Sequence, residues 1–155
     1  MQIVSQSMLF DHMAVPDLVD HPGFFLKCYP NSDLVEYIIK ENTLLDEQMA
    51  HDSKQLLEAA RPGKKIFLLV SSEGLFKVTK KARRLAAGKA FSDHLAAVSC
   101  YTGNTSLFLL GELYNKINKP AVPTRVFYSR EGAMEWLLEQ IAEGDASGGV
   151  AAAGA

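Results

Sequence analysis

Cysteine is scarce in this chain. There are two, Cys28 and Cys100, each inside an apolar, strand-like run. With no Cys-x-x-Cys pair and no Cys/His spacing suited to a metal, the pattern offers no zinc site, and both thiols read as reduced core side chains. Long apolar runs are missing too. None approaches the roughly 20 residues needed to cross a bilayer, so no transmembrane segment is expected. Met1–Phe10 has neither a basic flank nor a long apolar stretch, which argues against a secretory signal and for a cytoplasmic setting. Phosphate-binding and dinucleotide-binding glycine motifs are absent, as is the Gly-x-Ser-x-Gly nucleophile elbow. The histidines His12, His21, His51 and His94 are scattered. Asp93 and His94 are neighbours, but consecutive side chains rarely aim at one target. These patterns lead us to expect no catalytic group, no cofactor and no metal.

What remains is an ordinary globular composition, 48% hydrophobic and 22% charged, in 155 residues. That length suits one domain with a real core. The net charge of −2 conceals a segregation by position. Residues 1–63 carry 10 acidic and 4 basic side chains, residues 64–130 carry 3 and 12, and residues 131–155 carry 5 and none. The basic middle is the compositional feature that speaks to a partner.

Residues 1–22 show no sustained period and contain Pro16 and Pro22, so they read as an irregular arm. Phe24–Tyr29 and Leu34–Lys40 flank a Pro-Asn-Ser-Asp turn cluster and predict a β-hairpin. Thr43 and Asp46 form a capping pattern, and Leu45, Met49, Leu56, Leu57 and Ala60 follow at helical spacing over 44–60. Pro62 and Gly63 stop that helix. Ile66–Val70 is short and continuously apolar, as a strand covered on both faces would be. A second helix starts at Thr79, with Ala82, Leu85 and Ala86 on one face. Leu95–Tyr101 is another buried-type strand, punctuated by Thr102, Gly103 and Asn104.

A helix over Thr105–Ile117 puts Leu107, Leu110, Gly111, Tyr114 and Ile117 together. Phe108, Leu109 and Leu113 extend its apolar surface past half the circumference. This implies either unusual burial, the reading favoured here, or a patch for self-association into a homodimer or for a partner. A strand begins near Thr124. Ser129 then caps a last helix, where Ala133, Trp136 and Leu137 should pack on the sheet. The Gly/Ala/Ser tail, 144–155, lacks the apolar surface to offset its ordering and reads as disordered. The order ββαβαβαβα implies one α/β domain over 23–143, with a central, mostly parallel sheet, an N-terminal hairpin and about four helices.

From Phe24 to about Ile141 this order resembles the STAS-like domains, the superfamily of anti-sigma-factor antagonists, and within it an uncharacterised bacterial branch. The similarity is carried mainly by Asn115-Lys116-Ile117-Asn118-Lys119-Pro120-Ala121-Val122-Pro123-Thr124-Arg125-Val126-Phe127 and by Ser129–Leu138 with its Glu-Trp-Leu helix. The resemblance implies a non-enzymatic regulator that binds a protein partner. Some members instead bind nucleotides or lipid-like ligands. In the antagonists a serine within Asp-Ser-Ser-Gly, at the start of the helix after the third strand, is phosphorylated. Here the corresponding stretch is Phe76–Lys81, where Thr79 keeps a hydroxyl but the aspartate and glycine are gone.

Three candidate sites follow. Thr79 is either a phospho-acceptor beside Lys80 and Lys81 or a plain helix cap. Lys77, Lys80, Lys81 and Arg84 fall at i, i+3, i+4 and i+7, one stripe that attracts an anion or an acidic protein partner unless it is merely solvated. Nucleic acid is not the expected partner, because Phe76 and Phe91 only flank the basic run and the whole chain is acidic. Thr102, Gly103 and Asn104 lie between a strand and a helix, where α/β sheets gather ligands. They could serve a small anionic or amphipathic molecule at the sheet's carboxyl edge, or form a turn and cap.

Overall fold

The computed structural model describes residues 17–154, with side chains through Asp145. Its centre is a six-stranded sheet of order β1-β2-β3-β5-β7-β8, built from Asp17–Asp20, Phe24–Cys28, Leu34–Ile39, Ile66–Ser72, Leu95–Tyr101 and Thr124–Phe127. The first three strands are antiparallel, and β3, β5, β7 and β8 are parallel. Among the described residues four helices connect or flank them: α1 (Glu47–Ala60), α2 (Lys80–Ala87), α3 (Thr105–Asn118) and α4 (Arg130–Gly154). The mixed α/β class, the mostly parallel sheet and the antiparallel opening match the sequence reading.

Strand alternation sorts the core into two layers. Phe24, Leu26, Cys28, Val35, Tyr37, Ile39, Ile66 and Leu68 face α1, whose Leu57 joins their cluster. Leu34, Leu69 and Ala97 point the opposite way and meet Ala133, Met134 and Leu137 of α4. Because side chains alternate with period two, each parallel strand feeds both layers, which is why these strands read as unbroken apolar runs.

Several boundaries differ from the sequence reading, each for a physical reason. Part of the expected N-terminal arm is strand β1, which pairs Asp17–Asp20 with Phe25–Cys28. A four-residue edge strand with two aspartates has no periodicity to reveal it. Residues 1–16 lie outside the described part. Thr43 does not cap α1. Asp46 does, its carboxylate accepting from Met49 N at 2.9 Å, while Thr43 Oγ1 donates to the Gly23 carbonyl. Leu44–Leu45 are thereby freed to form β4, a two-residue parallel ladder with β6 (Lys77–Val78). This small sheet lies beyond the carboxyl ends of β3 and β5 and holds the starts of α1 and α2 side by side. The tail read as disordered continues α4 as helix to Gly154. Alanine is the strongest helix former, and extending an existing helix avoids the cost of nucleation.

The third helix also departs from the reading favoured for it. No residue of α3 is buried, and Leu109, Leu113 and Ile117 are more than half exposed. Its inner residue Gly111 explains how close the helix lies to β8, since a Cβ there would meet the Val126 side chain at 3.2 Å.

Candidate functional site

Between the sheet and α1–α3 lies an apolar cavity of about 300 Å³. Its floor is Leu68, Val70, Val98, Cys100 and Val126. Helix residues Leu57, Ala82, Ala86, Leu110 and Tyr114 roof it, and Leu45, Phe76 and Val78 of the small β4–β6 sheet close the end by the strands' carboxyl termini. The polar groups along the wall are mostly committed to partners. Tyr37 Oη and Ser53 Oγ are 2.6 Å apart, and Ser53 also donates to the Met49 carbonyl. Arg83 donates to the Val78 carbonyl. Lys54 Nζ donates to the Phe91 carbonyl and to Asp93 Oδ1 at 3.0 Å.

Two wall residues carry buried side-chain atoms with no hydrogen-bond partner among the described residues. His94, which immediately precedes β7, is only 8% exposed, and neither ring nitrogen has a hydrogen-bond partner among the described residues. Asn115, near the end of α3, donates its amide to the Thr124 carbonyl at 2.9 Å and leaves a buried Oδ1 unpaired. Both lie toward the amino ends of β7 and β8. Buried polar atoms without partners are uncommon and costly, so such atoms on the wall of one cavity mark it as the place where a ligand gains most.

Electrostatics keep the cavity neutral. Burial pushes the Cys100 thiol up to about 12. The phenols of Tyr37 and Tyr114 also rise to about 12, in each case chiefly through burial. Burial, with the Lys54 ammonium nearby, holds the His94 imidazole below its ordinary 6.5; the weaker effects of Glu58, Asp93 and the Phe91 carbonyl oppose this. Glu58, Asp93 and His94 do bring ligand-type atoms within 4.8 Å of one another. Lys54 Nζ, 3.0 Å from Asp93 and 3.6 Å from Glu58, is already the cation of that cluster.

A pH prediction follows from His94. Its folded pKa is depressed, so the unfolded chain binds the proton more readily and stability is fully present above the unfolded value of about 6.5. As pH falls below that value stability should drop, by at most about 1.4 kcal/mol per pH unit, until the folded imidazole also protonates. Urea unfolding at pH 7.5 and 5.5 measures the loss. His94→Phe should flatten it, and an unchanged slope in that variant would assign the effect to other groups.

The residues singled out from sequence are distributed as follows. Thr79 is the N-cap of α2, its Oγ1 accepting from Ala82 N at 3.1 Å. Lys77, Lys80, Lys81 and Arg84 are all exposed, and none forms an ion pair with a described residue. Lys77 lies in β6, ahead of the helix that carries the other three. In the Thr102–Asn104 loop the polar groups serve the chain itself. Thr102 Oγ1 accepts from Asn104 N, Asn104 Oδ1 accepts from Leu107 N and caps α3, and Thr102 N donates to Phe127 O. Thr102 also borders the cavity, but the unpaired groups are at its other end. Sequence reasoning gave Asn115 no site role, although it opens the stretch that carries the resemblance, and set His94 aside.

A second depression, about 520 Å³, runs between α2 and α3 on the surface. Lys80, Arg83 and Arg84 form one wall, and Leu113 and Ile117 the other. Phe108, on the same helix α3, stacks on Tyr128, which follows β8, with 3.8 Å between centroids. No helix among the described residues is long and apolar enough to cross a membrane.

The architecture is thus a three-layer α/β domain, with three helices over one face of the sheet and α4 over the other. The chain belongs to the family of the domain of unknown function DUF7793, whose model matches residues 29–141. Among solved structures it is similar to an uncharacterized protein from the DUF3478 family with a SpoIIAA-like fold, from Shewanella loihica PV-4. The two share 14% identity across 79% of this chain and 92% of that one, with a TM-score of 0.48. No curated protein sequence matches the chain.

Proposed function

We propose that this is a non-enzymatic regulatory domain of the STAS-like type, working in the cytoplasm, which docks an acidic, amphipathic protein segment in the groove between α2 and α3. The groove itself carries the reading: a basic wall of Lys80, Arg83 and Arg84 faces an apolar wall of Leu113 and Ile117. An occupant with acids on one side and apolar residues on the other would satisfy both walls. Exposed aliphatic side chains grouped beside a charged rim are the usual composition of such a contact. A binding role also suits the chemistry of the interior, because the thiol and phenol groups there are held in their unreactive protonated forms.

The test uses Lys80, Lys81 and Arg84 replaced together by Gln. These side chains repel one another and touch no acid among the described residues, so the variant should be as stable as the parent or slightly more so. A photo-crosslinking residue placed at Leu113, with one at Glu139 of α4 as control, is irradiated in native lysate. A discrete adduct should form from position 113 alone, weaken as salt rises through the physiological range, and vanish in the triple variant. An adduct unaffected by salt and by the triple change would make the stripe a solvated face. Marked unfolding of the variant would assign the stripe to intramolecular pairing.

A further inference from the structure

We propose that the cavity between the sheet and α1–α3 is a binding site for a neutral, hydroxyl-bearing apolar molecule, whose polar end lies at the end of the cavity that carries Asn115 and His94. This goes beyond the docking groove and does not depend on it. The volume comes first. A cavity of about 300 Å³ lies at the lower end of the range for small-molecule sites, and it would hold roughly ten waters at their liquid volume of about 30 Å³ each. Its wall is chiefly aliphatic and aromatic, so a water cluster there would lack the two to four polar partners each water needs.

The choice of headgroup follows from which polar atoms are spoken for. Asn115 uses one amide hydrogen on the Thr124 carbonyl, and its buried unpaired atom is Oδ1, an acceptor, so a ligand group that meets it there must bring a donor. His94 is uncharged and offers one donor and one acceptor. A hydroxyl can donate to the Asn115 oxygen, and at the imidazole it can either donate or accept, so it is complementary to each group. An anion is not. Lys54 is held by Asp93, Glu58 and the Phe91 carbonyl, and Arg83 places one N–H on the Val78 carbonyl and also lines the outer groove between α2 and α3. The Arg125 guanidinium lies over the rings of Phe127 and Trp136, which belong to the layer on the opposite face of the sheet. A carboxylate or phosphate placed at Asn115 would enter an apolar space with that unpaired oxygen against it.

The experiment titrates the full chain with 1-octanol, with its donor-less relative 1-methoxyheptane, and with octanoate, reading amide resonances and thermal stability. The alcohol should raise the melting temperature and shift resonances of Leu95, Val98, Gly111 and Thr124. Octanoate should bind at least tenfold more weakly. The ether should fall between them, and Asn115→Leu should erase the preference for alcohol over ether while keeping affinity for both. His94→Phe should do the same; if that variant does not fold, Asn115→Leu carries the test alone. Val98→Phe, which fills the space, should abolish binding by all three. Octanoate binding as tightly as the alcohol would overturn the headgroup assignment. Failure of every probe, with xenon also excluded, would overturn the cavity as a site and leave it a hydrated void.

Discussion

Phe24→Ala should remove about 3–5 kcal/mol of stability, the usual range for truncating a fully buried phenylalanine. The ring has no solvent exposure and stacks between His21 and Tyr37, at centroid distances of 4.2 and 4.5 Å. It therefore joins the loop after β1 to the middle of β3. Its loss would leave a cavity bordered by the stiff backbones of β2 and β3, which cannot collapse to fill it. Trp136→Ala is the informative comparison. The indole packs against the α4-side cluster, 6.1 Å from Phe127, but one side stays open beneath the Arg125 guanidinium. It should cost clearly less than Phe24→Ala, although tryptophan is the larger residue. Denaturant unfolding of both variants reads the difference. An equal or larger loss at Trp136 would mean that α4, rather than the β2–β3 pair, holds the sheet together.

The sequence was most informative where local chemistry decides the structure. Ile66–Val70 could be read as a doubly covered strand because every residue is apolar, and Thr79 as a cap because its hydroxyl precedes a helical run without competition. At Thr43 and Asp46 two capping side chains lie three residues apart. The choice between them was settled by the ladder of Leu44–Leu45 with Lys77–Val78, a pairing across more than thirty residues that no local window contains. Helix α3 shows a different limit. Periodicity says which residues share a face, but not whether another element covers it, and here Leu109, Leu113 and Ile117 are left outside. The cavity was illegible for a related reason. Its wall is assembled from β3, β5, β7, β8 and three helices, and its two unpaired groups, His94 and Asn115, are polar residues next to apolar ones with nothing local to mark them.

Arg130→Met, on the opposite face of the sheet, should cost about 3 kcal/mol, because breaking a buried ion pair strands the remaining charge. Glu36 lies in the middle of β3, on the side covered by α4, and is 5% exposed. Its Oε1 accepts from Arg130 at 2.9 Å and from the Tyr29 hydroxyl at 2.7 Å. Arg130 begins α4, so this contact fixes the start of the helix over the sheet. Arg130 is itself 42% exposed, which places the expected cost at the bottom of the roughly 3–5 kcal/mol seen when a buried pair loses one member.

The two partners should also behave asymmetrically. Glu36→Gln keeps an acceptor for Tyr29 and removes the buried charge, while the released Arg130 can turn toward water, so it should cost under about 1.5 kcal/mol, the net worth of an ordinary hydrogen bond. In Arg130→Met the carboxylate keeps the Tyr29 hydroxyl but loses its counter-charge, so the penalty of a buried charge remains. Adding Glu36→Gln to Arg130→Met should restore most of the stability at neutral pH. A double variant no more stable than Arg130→Met alone would show that the arginine acts through its aliphatic packing at the start of α4, and that the carboxylate of Glu36 is satisfied without it.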